Sequence, residues 1–482
     1  MKKTLLTFSI SLLIAQLASA TEATMPADKA KSDTTIYQNV NVIDSISDDL
    51  QKNMAIVVNG ETIRALLPMS QLKQDSYPNA TIVDAQSWYA TPGLIETHTH
   101  VATQPNRQYA EFILNRQLYG GITTARDLAG DSRALADLSR AALVKEIPAP
   151  DLKYVALMAG PEFFSDPRTV SSGLGEVPGK ISWMQAVDEN TDMKTAVALS
   201  RGTWASAIKT YAKLNDKAMK RIGDEARKQG IPVWSHAHVG PARPMAVAKA
   251  RVHSMSHACD MAAAAFTEEQ LAKAESGELN GRVPVDLKSA KIDAVFEEMK
   301  THNTVFDPTL RVEEWVANNA EKLKAQREKM AREMNKNPNA KGKASTKKKG
   351  IRAQCGFEDA VDLVRRAYKA GVKISTGTDG STGNKDRYPA LYDELRLLNE
   401  KVGIPMMDVI KAATINGAFS IGLENKIGTL EAGKQANISF FEQNPLDGSE
   451  HLRSVVLTVK RGSPYYRKDF VLGESGIPDE DG

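Results

Sequence analysis

The chain has only two cysteines, Cys259 and Cys355, in 482 residues, which excludes a disulfide-stapled scaffold. In an oxidising compartment the two could pair, but 96 positions apart they make no framework and a bridge is not the expected reading; Cys259 is then either a metal neighbour or an inert buried thiol. Aromatic residues are sparse at 6%, and charge of either sign is nearly balanced, with 62 Lys and Arg against 59 Asp and Glu. No basic excess marks a nucleic-acid partner. Beyond the first twenty residues no run approaches the ~18 continuous apolar residues of a membrane span. Neither Gly nor Pro is abundant enough, at 32 and 21, for a collagen-like or low-complexity chain. What remains is a globular protein with 42% hydrophobic residues, three times the ~150-residue domain size, which suits one large domain and a smaller one.

The start reads as an address. Met1-Lys2-Lys3 is a short positive region, Thr4 to Leu17 an apolar one and Ala18-Ser19-Ala20 a small-residue site, together predicting a signal peptide at 1–20 cleaved after Ala20. The protein is therefore expected to be periplasmic or secreted, with homo-oligomerisation left open.

Strand patterns fill the region from about 34 to 92. Thr35 to Asp44 alternates in places, and Ala55 to Val58 runs into Asn59-Gly60, a hairpin signal, with Ile63 to Leu67 beyond it. After Pro92-Gly93 short apolar runs alternate with helical patterns. Candidate strands are Gly93–Thr97, Ile122–Arg126, Tyr154–Met158, Ala207–Thr210, Val233–His236, Val252–Ser256, Thr304–Asp307 and Val372–Thr376. Helices are predicted over Asp216 to Gln229, capped by Gly230, and over Ser289 to His302. Eight strands with helical crossovers predict an α/β fold, a (β/α)8 barrel over 93–426. Residues 427–475 return to short strands, at Ile427 to Leu430, Ala436 to Phe441 and Leu452 to Val459, and with 21–92 are expected to build a small β-sandwich from both chain ends, leaving 476–482 as a tail. A Lys-rich stretch at 335–350 interrupts the barrel pattern and reads as a solvated loop.

Chemistry concentrates in the histidines, of which there are eight. Four form two H-x-H pairs, His98-Thr99-His100 and His236-Ala237-His238. Residues i and i+2 of a strand share a face, so the first pair can aim two imidazoles into one cavity at a strand's C-terminal end, where barrel active sites sit. His238 shares the face of His236 and is a candidate substrate contact or a structural hydrogen-bonding group. Lys209 interrupts the apolar strand Ala207-Ile208-Lys209-Thr210-Tyr211, and a buried ammonium needs a reason. Either it is exposed at the strand end, or its neutral amine is carboxylated by CO2 to a carbamate able to bridge two metal ions. Tyr211, from the same strand, is a candidate substrate contact or a core residue. His257 follows the sixth strand candidate and Asp379 the eighth. Arg126-Asp127 is read as support for the barrel rim, and His253, His302 and His451 as structural or surface residues.

Taken together, these residues resemble the metal-dependent amidohydrolase superfamily, and more narrowly its secreted imidazolonepropionase-like and prolidase-like members, dipeptidases of the Xaa-Pro or Xaa-Arg type. The resemblance runs from about 34 to 460, and its most specific stretches are Thr91 to His100, Gly121 to Asp127, and Ala412 to Ala418 through Leu423 to Lys434. It implies two divalent metal ions, with zinc as the default. His98 and His100 would bind one, His236 and His257 the other, and Lys209 as N6-carboxylysine would bridge them. Asp379 would bind the first metal and carry the catalytic proton. The implied reaction is hydrolysis of an amide or peptide C–N bond in a dipeptide or N-acyl amino acid, with water activated at the metals. Two alternatives stand beside it: hydrolysis of a cyclic amide, lactone or phosphotriester on the same centre, and a noncatalytic binding protein on a hydrolase frame. Lys209 argues against a mononuclear deaminase, which needs no bridging lysine. Ala436-Asn437-Ile438 departs from the Ala-Asp-Leu of relatives, and the Lys-rich insertion makes transfer of their substrates unsafe.

Overall fold

The computed structural model describes residues 33–103, 106–325, 328 and 350–477. The expected leader at 1–20 and all of the Lys-rich stretch except Gly350 lie outside the described residues. Seven parallel strands follow one another in chain order: β1 (Leu94–Thr99), β2 (Ile122–Asp127), β3 (Asp151–Ala159), β4 (Ala207–Thr210), β5 (Val233–His236), β6 (Ser254–Ser256) and β7 (Val305–Asp307). Each pairs with the next. The expected eighth strand is not a regular one. Residues 373–376 nevertheless close the ring, because Phe306 N donates to Lys373 O at 2.8 Å, Ser375 N to Phe306 O at 2.8 Å, and Thr97 N to Thr376 O at 2.9 Å. Gly377 explains how the segment can come so near: a Cβ there would lie 2.2 Å from an oxygen of Asp307 and 2.5 Å from Cβ of His98.

Between strands the helices follow from their caps. The helix Asp216–Gln229 begins where Asn215 accepts from Ala218 N and ends at Gly230, whose φ of +68° is the left-handed conformation glycine adopts without a Cβ penalty. Ala290–Thr301 starts at the Ser289 cap. Both helices bury an apolar stripe against the barrel's largest hydrophobic cluster.

The two chain ends meet in one eight-stranded mixed sheet. Thr34–Val42 lies between Gln51–Asn59 and Tyr89–Pro92, and Tyr89–Pro92 in turn pairs with Ile438–Phe441, followed by Val455–Lys460 and Ser463–Tyr466. Ile427–Leu430, expected to be extended, forms no strand: Gly428 turns there at φ +92°, and Leu430 N instead donates to Asp44 O. Lys460 ties this sheet to the barrel, its buried ammonium donating to the carbonyls of Ala142 and Ala149 and pairing with Asp151 at 3.1 Å.

Two features run against the sequence reading. Cys259 and Cys355 form a disulfide, with Cα atoms 5.5 Å apart, because the turn after β6 and the chain entering the helix Phe357–Lys369 are folded side by side, whatever their separation in sequence. A two-stranded parallel ribbon, Gly281–Val283 with Ile351–Ala353, also joins the loops after β6 and β7. No helix among the described residues is long and apolar enough to cross a membrane.

Candidate active site

The site is assembled at the C-terminal ends of the barrel strands. His98 is the penultimate residue of β1 and is 1% exposed, with His100 just beyond the strand and partly exposed. Lys209 lies inside β4, His236 ends β5 and His257 directly follows β6. Asp379 follows the closing segment. His257 and Asp379 both have positive φ, +75° and +49°, a costly conformation for such residues that the surrounding barrel enforces.

These side chains converge. Nε2 of His98 and of His100 stand 3.4 and 3.2 Å from one oxygen of Asp379, and His257 Nδ1 is 3.9 Å from the other. One ligand atom from each of His98, His100 and Asp379 falls within 4.8 Å of the others, a spacing a single cation can span. On the other side His257 Nε2 faces His236 Nε2 at 3.1 Å. The rings touch in an unbroken series, His100 to His98 to His257 to His236 and on to Tyr211, with centroids 5.4, 5.0, 4.1 and 4.4 Å apart. Lys209 is fully buried, and among the described residues its Nζ has no hydrogen-bond partner. The alternative of a lysine exposed at the strand end is therefore excluded.

Electrostatics set the protonation states. Burial and the charge of Arg126 bring Lys209 down to about 7, so much of it is neutral amine at physiological pH. Burial also holds His98 and His236 well below the ordinary histidine value, with Lys209 adding to the effect, and burial with His236 brings His257 to about 4. Burial opposes the charge of Asp379, yet His98, His100 and His257 together keep it well below the usual carboxylate range. His100 differs: burial lowers it, but the hydrogen bond and charge of Asp379 outweigh that and raise it above the ordinary histidine value. Three neutral imidazoles, His100 and an ionised carboxylate, two of the imidazole nitrogens nearly touching, form a donor set that fits a divalent transition-metal ion.

Several residues beneath the histidines went unnoticed in the sequence. Asp307, at the end of β7 and fully buried, accepts from His98 Nδ1 at 2.9 Å, Thr97 Oγ1 at 2.9 Å, Ser256 Oγ at 2.9 Å and Arg126 at 3.2 Å. It thereby fixes Nε2 of His98 as the nitrogen that faces Asp379. Arg126 is not at the rim. It lies inside the barrel, fully buried, with its guanidinium 4.7 Å from the Trp234 ring centroid. Glu96 receives the N–H groups of His98 and Thr378 and the Thr378 hydroxyl, locking the first strand to the closing segment. Asp260, next after Cys259, stands 3.3 Å from His236 Nδ1. The only signal for Asp307 was a carboxylate at the C-terminal end of a strand candidate.

The two substrate-contact candidates lie differently. Tyr211 packs edge-on against His236 and lies 4.7 Å from the Phe163 ring, at the mouth of the site. His238 stands apart from the four imidazoles, half-buried, its ring 6.3 Å from Phe266.

Comparison with known proteins fits this geometry. The model of the amidohydrolase family matches residues 89–464. Among curated proteins, ochratoxinase of Aspergillus niger is 26% identical over 49% of this chain, and 5-methylthioadenosine/S-adenosylhomocysteine deaminase of Teredinibacter turnerae 38% identical over 16% of it. These matches span 38% and 19% of the relatives' own lengths. Among solved structures, a Xaa-Pro dipeptidase with bound methionine superimposes with a TM-score of 0.66 at 20% identity, covering 90% of this chain and 100% of the other, a likeness of fold.

Proposed function

The chain belongs to the amidohydrolase family, and on that premise we propose that it is a dinuclear metal-dependent hydrolase that cleaves the C–N bond of a small amide, either a dipeptide or an N-acyl amino acid. The observation that carries this reading is Lys209. A fully buried amine with no hydrogen-bond partner, among four imidazoles and a carboxylate, costs free energy that the fold has no structural reason to bear. Its neutral form supports reaction with CO2: a nitrogen–carbon bond forms, a proton leaves, and the product is a carbamate with two oxygens. That anion would complete two neighbouring sites, His98, His100 and Asp379 on one side and His236 and His257 on the other.

When bound, the ions supply Lewis acidity, lowering the pKa of water from 15.7 toward roughly 7 and polarising a carbonyl oxygen. The protein's own groups do the rest. Asp379, kept ionised by the three histidines, can take a proton from the attacking water on a carboxylate oxygen and return it to the departing nitrogen. Asp307 and Asp260 hold the imidazoles of His98 and His236 from behind. Tyr211, packed edge-on against His236, would contact the substrate there. The Cys259–Cys355 disulfide supports the oxidising compartment expected from the leader-like residues 1–20.

The test is mass-spectrometric depletion of a mixed library of dipeptides and N-acyl amino acids by the metal-loaded protein, run beside Asp379→Asn. Depletion by the wild type alone is expected, and the depleted species would name the preferred side chain. No depletion at full metal content would overturn the amide reading in favour of cyclic amides, lactones or phosphotriesters.

A further inference from the structure

Polar groups also gather at the other end of the barrel, where β2 and β3 begin. Residues two apart on a strand share a face. Arg126 lies inside the barrel against Trp234, and Val155 belongs to the same interior cluster as Trp234. Thr124, two before Arg126, and Lys153, two before Val155, therefore point inward as well. The register of the two strands agrees, setting Thr124 opposite Asp151 and Arg126 opposite Lys153. Two basic side chains thus stand side by side, and only one is compensated. Arg126 has Asp307. Lys153 is half-buried, with no side-chain hydrogen bond or salt bridge among the described residues.

Lys153 and Thr124 line a cavity of about 90 Å3 whose other walls include Asp151, Lys426, Gln435 and Arg461. Asp151 is the one carboxylate among the described lining residues, and both its oxygens are taken: Lys460 stands 3.1 Å from one, and Arg461 donates to the other at 2.7 Å. Arg461 donates to Glu61 as well, at 2.9 Å. That leaves Lys153 and Lys426 facing one cavity with no acid of their own. Thr124 is 1% exposed, and among the described residues its hydroxyl has no hydrogen-bond partner either. Polar groups turned into a closed space with nothing to bind cost free energy. Burial pulls the Lys153 ammonium below the ordinary lysine range; Asp151 opposes the shift, while Arg461 and Lys426 add to it.

We propose that this cavity binds a small tetrahedral oxyanion, held by the Lys153 and Lys426 ammonium groups and the Thr124 hydroxyl. Ammonium-to-oxyanion hydrogen bonds are short and charge-assisted, and the cavity offers two such donors and a hydroxyl in one place. The anion joins separate parts of the chain. Thr124 and Lys153 belong to barrel strands, Lys426 and Gln435 to the connection that enters the terminal sheet, where Gln435 N donates to Lys426 O at 2.9 Å, and Arg461 directly follows the sheet strand Val455–Lys460. The site lies at the end of the barrel away from the histidines, so it stands whether or not the chain cleaves amides.

The test uses the metal-loaded full chain with sodium sulfate as the probe, ionic strength being held constant with sodium chloride, and reads affinity by calorimetry and stability by thermal melting. The wild type should bind sulfate saturably, and its melting point should rise with sulfate concentration. Lys153→Gln and, separately, Lys426→Gln should each lower sulfate affinity about tenfold, the effect of one charge-assisted hydrogen bond, and blunt the rise in melting point. Metal content should be unchanged in both. Lys426 is exposed, so its replacement does not put the fold at stake. Lys153→Gln removes a charge that has no partner, and in sulfate-free buffer it should melt no lower than the wild type. Absence of saturable binding in the wild type would overturn the site. So would an affinity that both variants keep, since the sulfate would then be bound at the histidines or elsewhere on the surface.

Discussion

Asp379 and Asp307 are both carboxylates within reach of His98, yet their settings give them different work. Asp379 sits at the open side of the histidines, and in the proposed reaction it moves the proton; Asp307 sits beneath them, fully buried, accepting from His98, Thr97 and Ser256. Asp379→Asn should retain most of its metal and lose roughly 10²–10⁴-fold in turnover, the usual contribution of a positioned general acid–base, as steady-state kinetics with parallel metal analysis would show. Asp307→Asn should do the opposite. It leaves the proton carrier in place but loosens His98, so metal affinity should fall about 10–100-fold in competition with a chromophoric chelator. His98, His100, His236 and Lys209 were legible as candidates because each broke a local rule: imidazoles at strand spacing, and an amine in an apolar strand; His238, picked out by the same spacing, lies apart from them against Phe266. Asp307 broke none, since a single Asp before Pro308 also reads as an ordinary turn residue. Arg126 was misplaced for a related reason. A strand's alternation does not tell which face is the barrel interior once polar groups are buried in pairs.

Elements carry the next level of the account. The closing segment 373–376 makes the site possible by lying against β1 and β7 without being a regular strand, and Gly377 is what admits it. Gly377→Ala should therefore destabilise the protein by about 1–3 kcal/mol, the cost of overpacking, and weaken metal binding as well, because the new methyl meets both His98 and Asp307. Calorimetric melting with and without metal checks both effects. Long helices such as Asp216–Gln229 were read to the residue, since caps and an apolar stripe mark them locally. The ribbon strands were not: Gly281–Val283 and Ile351–Ala353 exist only because two distant loops meet. The disulfide belongs to the same class. Its partners are neighbours through the fold, 96 positions apart, and replacing both by serine should cost about 2–4 kcal/mol with the melting point losing its sensitivity to reductant.

At the scale of the whole molecule, a parallel barrel gathers the candidate site at one end, while the sheet built from both chain ends pairs the strand that leads into the barrel with strands that follow it. The family-scale expectation of this architecture came from motifs at Thr91–His100 and Ala412–Lys434, which lie at the two joints between sheet and barrel. If the centre of four imidazoles, a carboxylate and a buried amine holds the proposed ions, metal removal should lower thermal stability, and restoring metal at 100 times its Kd should return about 2.7 kcal/mol.

The central claim is that Lys209 joins two metal ions in one centre. The most direct measurement is the metal content of purified protein by plasma mass spectrometry, wild type beside Lys209→Ala, loaded in the presence of bicarbonate. The account predicts two ions per chain in the wild type and no more than one in the variant. A single ion per chain in the wild type, or two retained without the lysine, would contradict it.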